Sequence, residues 1–407
     1  MHCLYLAQRI PYPPNKGEKL RSFHQINFLR KNGIEVTVAA PFEQTEELGY
    51  FTSLAQDYGC HTISQPLAHK MLRYLSGLAQ NTSLSEAHFY SAGLQQQIDT
   101  LLQQQDIDAI VCTASSMANY VFRSQVLKQK SGRPRLIMDF MDMDSHKWHQ
   151  YSLNAKLPMR WVYQREASLV KKLENRVGDQ FDACFFVAEP ETTLYKQQAG
   201  QPAARVLSIG NGIDPAEFYP LAHPSEVQTP HLLFAGVMDY TPNVDAMLWF
   251  YQQVWPRILT IWPDATLTIA GMNPTPSIAR LDGTDNVRVT GFVEDILPYF
   301  HQSNVFVAPF RIARGIQNKI LQAFACGLPV VSTSMGAEGI RCTPGDNIEV
   351  GDEPDEMFDA IKRLMDAPSH YQSVRNNALA TIDEHYSWEG ILAPLLELLS
   401  KEKVKPL

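Results

Sequence analysis

The feature that most constrains this chain is a series of short apolar runs, each of buried-strand length, separated by stretches of helical periodicity. "HCLYLA" (2–7) comes first and leads into a loop rich in Pro and Gly. Residues 18–32 then carry Leu20, Phe23, Ile26 and Leu29 at helical spacing, and Gly33 is a stop signal. "IEVTVAAP" (34–41) is a second strand-like run, rich in β-branched residues. Strand, helix and strand in so short a span form a βαβ unit, and hence a parallel sheet with right-handed crossovers. The pattern returns at "IDAIVCTA" (107–114), "RLIMDF" (135–140) and "DACFFVA" (182–188).

A second series begins at "HLLFAG" (231–236) and continues through "ATLTIAG" (265–271), "NVRVTGF" (286–292), "NVFVAPF" (304–310) and "LPVVSTS" (328–334). Between the two lies "GNGIDPAEFYPLAHPSEVQTP" (210–230), Pro-rich and without periodicity, a composition suited to an interdomain connection. At 407 residues the chain is too long for one ordinary core. The expectation is therefore an α/β protein of two Rossmann-like domains, residues 1–210 and 231–385, joined by a linker at 211–230. A terminal helix within 386–407 completes it. Ligands in such folds bind at the carboxyl ends of the strands and at helix N-termini, here in a cleft between the two domains.

Composition removes several function classes. The chain is 45% hydrophobic and 19% charged, which is globular, and its net charge of −8 argues against a nucleic-acid partner. Cys3, Cys60, Cys112, Cys184, Cys326 and Cys342 are dispersed, with no C-x-x-C pair, and read as buried reduced thiols. The N-terminus has no signal-peptide pattern, and no run approaches the roughly 18–20 apolar residues of a membrane span. The expected location is cytoplasmic.

The segment richest in chemistry is "NVFVAPFRIARGIQNKILQAFACGLPVVSTSMGAEGI" (304–340). A buried strand ends at Pro309, and a loop follows with Arg311, Arg314 and Gly315. A helix runs from about Ile316 to Cys326 and stops at Gly327. Lys319 and Gln322, three apart, share a face near its start. Two arginines, a glycine, helix N–H groups and a lysine suit a diphosphate. A solvated basic loop with ordinary surface pairs accounts equally well for the same residues.

At this point the sequence resembles the retaining glycosyltransferases of family four, which have the two-domain GT-B fold. "QAFACGLPVV" resembles the end of their signature, in which two glutamates stand eight residues apart before an "AFA" segment. "IGNGIDPAEFYP" (209–220) is similar to the family's interdomain segment, "FAGVMDYTPNVDAMLWF" (234–250) to the opening of its second domain, and "VTGFVEDILPYF" (289–300) to its nucleobase-side strand and loop. "YSW" (386–388) resembles the lead-in to a last helix that crosses back to the first domain. "PYPPNKGEKLRSFH" and "MDFMDMDSHKW" resemble sugar transferases associated with exosortase A and exopolysaccharide gene clusters.

The resemblance implies a metal-independent transferase that takes a nucleotide-sugar as substrate, needs no cofactor, and passes the sugar to a saccharide or lipid-linked acceptor. It places Gly291, Phe292 and Val293 beside the nucleobase, and Arg311, Gly315, Asn318 and Gln322 on the donor. Two departures stand out. Gln322 occupies the second glutamate's place on the ribose, where its amide oxygen can still accept but the charge-assisted part of the bond, about 1 kcal/mol, is lost. Arg314 falls on the first glutamate. The second domain's first strand also lacks the Arg and Lys pair of many relatives, which shifts the phosphate role to Arg311, Arg314 and Lys319, with Lys319 and Arg314 as catalytic cations.

In the first domain, "NKGEK" (15–19) sets Gly17 where a helix begins, so the backbone can approach a donor phosphate, with Lys16 and Arg21 adding charge. A surface turn with a helix cap reads the same way. Asp142 and Asp144 form a D-x-D, which in a different glycosyltransferase fold would hold a divalent metal. The two-domain plan favours a sugar or acceptor contact. His146 has the chemistry of an acid/base, though a histidine at a helix start is more often surface. "HKMLRYLSGL" (69–78) and "KLPMRWVYQREASLVKKLENR" (156–176) mix basic and apolar residues at helical spacing. This suits peripheral docking on anionic lipid, but amphipathic packing on the sheet is the more ordinary reading for most of both segments. Two rivals share the fold: a nucleotide-sugar epimerase or hydrolase, and a non-catalytic nucleotide-sugar-binding subunit.

Overall fold

The computed structural model describes residues 1–14, 17–129, 132–221, 229–312 and 316–400. Unit 1 comprises Met1–Asn211 together with the chain from Leu392 on, and unit 2 comprises Gly212–Ile391. The segment 212–221, which its composition marks as connection, belongs to unit 2. Ile213 donates its N–H to the Tyr386 carbonyl at 2.8 Å, and Phe218 packs edge-on against Phe300.

Among the described residues unit 1 holds seven strands: β1 (His2–Leu6), β2 (Glu35–Phe42), β3 (His61–Pro66), β4 (Ala109–Thr113), β5 (Arg135–Met141), β6 (Ala183–Phe186) and β7 (Arg205–Ser208). They lie in the order β3-β2-β1-β4-β5-β6-β7, every pair parallel. Unit 2 holds β8 (His231–Ala235), β9 (Thr266–Ala270), β10 (Val287–Gly291), β11 (Val305–Ala308), β12 (Val330–Ser332) and β13 (Glu349–Val350). Their order is β10-β9-β8-β11-β12-β13, again parallel. The continuous apolar runs of the sequence are the central strands: β1, β4, β6 and β11 are buried along their whole length, because helices cover both faces of a parallel sheet. The sequence misses β3, β7 and β13. All three are edge strands: β3 is half-exposed and mostly polar, β7 has four residues with exposed polar ends, and β13 is two residues long.

In each sheet the strand order reverses once, between β1 and β4 and between β8 and β11. At such a switch point the loops leaving neighbouring strands turn to opposite faces, and a crevice opens at the carboxyl ends. Backbone strain gathers there in unit 1: Ala114 and Met141, just past β4 and at the end of β5, have φ of 64° and 63°. In unit 2 the backbones themselves close in. Gly271 follows β9 with φ +148°, and a Cβ there would lie 1.7 Å from the Gly236 carbonyl oxygen.

Candidate active site

The helix Asn318–Ala325 begins two residues later than its periodicity suggests, and its apolar face (Ile320, Leu321, Phe324) is buried in the core of unit 2. That burial fixes Lys319 on the side facing the end of β8. Its Nζ donates to Asn243 Oδ1 at 2.8 Å. It also sits 5.1 Å from the Phe234 ring centroid and 4.8 Å from that of Phe310. The ring faces offset part of the cost of taking an ammonium out of water. Burial nevertheless lowers the lysine pKa to about 8.

Asn243 is held in turn. It lies in the first turn of the helix Thr241–Gln253 and is buried with Ala246, Met247 and Phe250, and its amide nitrogen donates to the Val237 carbonyl at 2.8 Å. That bond assigns the amide orientation, leaving the oxygen for Lys319. Gly236 completes the arrangement: a Cβ there would meet Asn243 Nδ2 at 2.7 Å and Lys319 Nζ at 3.1 Å. A held cation therefore stands at the carboxyl ends of β8 and β11, the switch point of the second sheet. A cation held in this way can bind an anion and stabilise charge growing on it.

The other donor-side residues are distributed around this point. Asn318 is exposed at the first position of the helix, and Gln322 is half-buried on the face of Lys319. Arg311, at the end of β11, is engaged: its Nε reaches Asp245 Oδ2 at 3.1 Å and its Nη2 reaches Oδ1. It is a paired cation rather than a free one. Gly291 ends β10 with φ +66°, Phe292 beside it is 72% exposed, and Val293 is half-buried. Arg314, Gly315 and Lys16 lie outside the described residues.

In unit 1, Gly17 is the first residue of the helix Gly17–Lys31, as its sequence suggests. Arg21, one turn on, corrects the expectation of a charge offered to ligand. It is 2% exposed and its donors are spent inside the unit. Nε donates to Asp139 Oδ2 at 2.6 Å, Nη2 to the Ile209 carbonyl at 2.7 Å, and Nη1 to the Gly210 carbonyl and Asn211 Oδ1 at 2.7 and 2.9 Å. Gln25 also donates to Asp139 Oδ2, at 2.6 Å. Arg21 ties the helix after β1 to the end of β5 and to the exit of the chain from β7.

Asp142 and Asp144 part company. Asp142 is exposed, while Asp144 is half-buried and accepts from the Ser115 hydroxyl at 3.3 Å. Burial, opposed in part by Lys147, raises the Asp144 pKa to about 6. Two glutamates missed at the sequence level stand behind it. Glu174 accepts from the Ser145 N–H at 3.0 Å and from its hydroxyl, and Glu191 accepts from the Met143 N–H at 3.1 Å. Burial raises both, Glu174 to about 7. They hold the N-terminus of the helix Asp144–Asn154, whose positive dipole end favours carboxylates. Among the described residues no three His, Cys, Asp or Glu side chains converge as a metal site. His146 has a ring nitrogen 2.8 Å from the Gln150 amide, one turn along the same helix.

Comparison with known proteins bears on unit 2 above all. Residues 229–367 match the family model described as glycosyl transferases group 1. An uncharacterised 44.6 kDa protein of the cps region of Klebsiella pneumoniae is 23% identical over 60% of this chain and 69% of its own length. A GDP-mannose-dependent monoacylated alpha-(1-6)-phosphatidylinositol monomannoside mannosyltransferase of Corynebacterium glutamicum is 24% identical over 56% of this chain. That match spans 64% of the mannosyltransferase, under two thirds of its length. Among solved structures, Anabaena HepE in complex with UDP and glucose superposes with a TM-score of 0.62 at 16% identity, covering 98% of this chain and 99% of that one. Sucrose-phosphate synthase from Thermosynechococcus elongatus gives 0.60 at 14% identity, covering 98% of both. At such identities the superpositions establish the GT-B fold. Lys319, Asn243 and Gly236, which form the cation site at the β8–β11 switch point, all fall inside the segment that matches the glycosyl transferases group 1 model.

Proposed function

We propose that the chain is a retaining, metal-independent glycosyltransferase. In this reading it moves a sugar from a nucleotide-sugar to a carbohydrate or lipid-linked saccharide acceptor in exopolysaccharide biosynthesis, at the cytoplasmic face of the membrane. The observation that carries the reading is Lys319, a cation held by Asn243 between two aromatic faces at the switch point of a group 1 domain. In the reaction the bond between the anomeric carbon and the diphosphate oxygen breaks, and the acceptor oxygen bonds to that carbon. The acceptor proton passes to the departing diphosphate. Negative charge grows on the diphosphate as the bond breaks, so an ammonium already in place binds the transition state more tightly than the ground state. Unit 2 is the donor side, with Gln322 at the ribose and Gly291, Phe292 and Val293 by the base. Unit 1 is the acceptor side, with Asp142 or Asp144 contacting sugar. The cps-region relative supports the exopolysaccharide setting.

The test is release of nucleoside diphosphate from a panel of nucleotide-sugars, with and without saccharide acceptors. Release that requires acceptor, with the anomeric configuration kept in the product, is the expected result. Release without acceptor indicates a hydrolase, an altered sugar still on the nucleotide an epimerase, and donor binding without turnover a binding subunit.

A further inference from the structure

Helices on the surface of a globular domain bury their apolar stripe and expose their polar one. The helix Lys70–Ala79 does the reverse. Its buried side chain is Arg73, which donates to Glu43 Oε1 at 3.0 Å and to the His88 carbonyl. Its outward face carries Met71, Leu72, Leu75 and Leu78, exposed by 62, 63, 55 and 49%. Scattered exposed leucines need no explanation, but four large ones on one face of a single short helix do.

A second exposed apolar group lies close by. Leu153, Leu157, Met159 and Trp161 surround the turn between the helices Asp144–Asn154 and Met159–Gln180. The two groups are fastened together just below the surface. Glu166, one turn beyond Trp161 and 1% exposed, accepts from the Leu84 N–H at 2.8 Å, and Arg165 donates to the Thr82 carbonyl at 3.1 Å. Residues 82 and 84 directly follow the inverted helix.

The charge around them selects the occupant. The chain carries a net −8, yet no Asp or Glu lies between Asp57 and Glu86, or between Asp144 and Glu166. These two stretches contain both apolar groups, interleaved with Lys70, Lys147, Lys156 and Arg160, all exposed. An apolar face fringed by cations and free of carboxylates fits a surface that is itself apolar beneath and anionic at its edge. A bilayer offers acyl chains to the leucines, an interfacial zone to the tryptophan and anionic headgroups to the bases.

We propose that unit 1 docks on an anionic lipid surface through the outward face of the Lys70–Ala79 helix and the 153–161 turn. The docking rests on the lipid-linked acceptor proposed above. Vesicle binding needs neither donor nor acceptor, so its failure is distinguishable from failure of the transfer reaction. The full chain should co-sediment with phosphatidylcholine vesicles containing phosphatidylglycerol, bind pure phosphatidylcholine far less, and release as salt rises. L72S/L75S should weaken binding about tenfold or more, since both leucines lose their place among the acyl chains. K156Q/R160Q should weaken it about fivefold per charge on anionic vesicles only. Both pairs are exposed, so the melting temperature should hold. Equal binding to neutral vesicles, or anionic binding unchanged in both variants, overturns the proposal. So does a dimer of the wild-type chain that L72S/L75S dissociates, because the face would then belong to a second copy.

Discussion

Lys319 hangs on Asn243: the ammonium donates to the amide oxygen at 2.8 Å, and the amide nitrogen is itself committed to the Val237 carbonyl at 2.8 Å. The lysine is thereby aimed before any ligand arrives. Lys319→Ala should lower kcat by on the order of a hundredfold or more with little change in melting temperature. Turnover like wild type in a folded variant would remove the helix Asn318–Ala325 from the reaction.

Asn243 should be visible in the pH profile. Burial lowers the lysine pKa to about 8, so kcat/KM for the donor should fall as pH rises through that value and the amine loses its charge. Asn243→Ala removes an acceptor that favours the protonated amine, and should move this alkaline limb to lower pH. Asn243→Asp should move it upward, while weakening donor binding by placing a negative charge beside the proposed diphosphate site. The same lysine affects stability with the opposite sign. Between about 8 and the unfolded value of 10.5 only the unfolded chain stays protonated there, so this group's contribution to unit 2 grows as pH rises. A pH series of kcat/KM with urea unfolding on the same three proteins separates the two effects.

Arg21→Met should destabilise unit 1 by about 3–5 kcal/mol, because it strands the buried Asp139 carboxylate. Urea unfolding measures this. A loss under 1 kcal/mol would show that Gln25 and the Met141 N–H suffice for Asp139.

Gly271→Ala should prevent unit 2 from folding, since its Cβ would overlap the Gly236 carbonyl. Gly291→Ala, at φ +66° with open space around its Cβ, should cost only about 1–2 kcal/mol of backbone strain. Limited proteolysis and thermal melts of the pair provide the comparison.

Activity should survive exhaustive EDTA treatment. Loss that manganese or magnesium restores would make Asp142 and Asp144 metal ligands and overturn the proposed reading of the D-x-D.

Much of the plan is legible from β1, β4, β8 and β11, because a strand buried on both faces must be apolar throughout. Lys319 is legible for a related reason, as a base at a helix start just past such a strand. Asn243 was missed, although it left a signal: a polar residue on the same stripe as Ala246, Met247 and Phe250. Arg21 was misread because a buried arginine and a ligand-facing one look alike at helical spacing. The difference lies in Asp139 and the carbonyls of Ile209 and Gly210, far away along the chain. The inverted helix misled in the same way, since periodicity reports an apolar face without saying which way it turns.

Unit 2 is continuous from Gly212 to Ile391, whereas unit 1 is interrupted and regains the chain only at Leu392. Translation therefore releases every residue of unit 2 before the ribosome has delivered Leu392, Leu395, Leu398 and Leu399, all buried. The half that is begun first is completed last. A nonsense or frameshift lesion in the codons for 392–400 would strike the fold of unit 1 and spare unit 2, its neighbour in sequence.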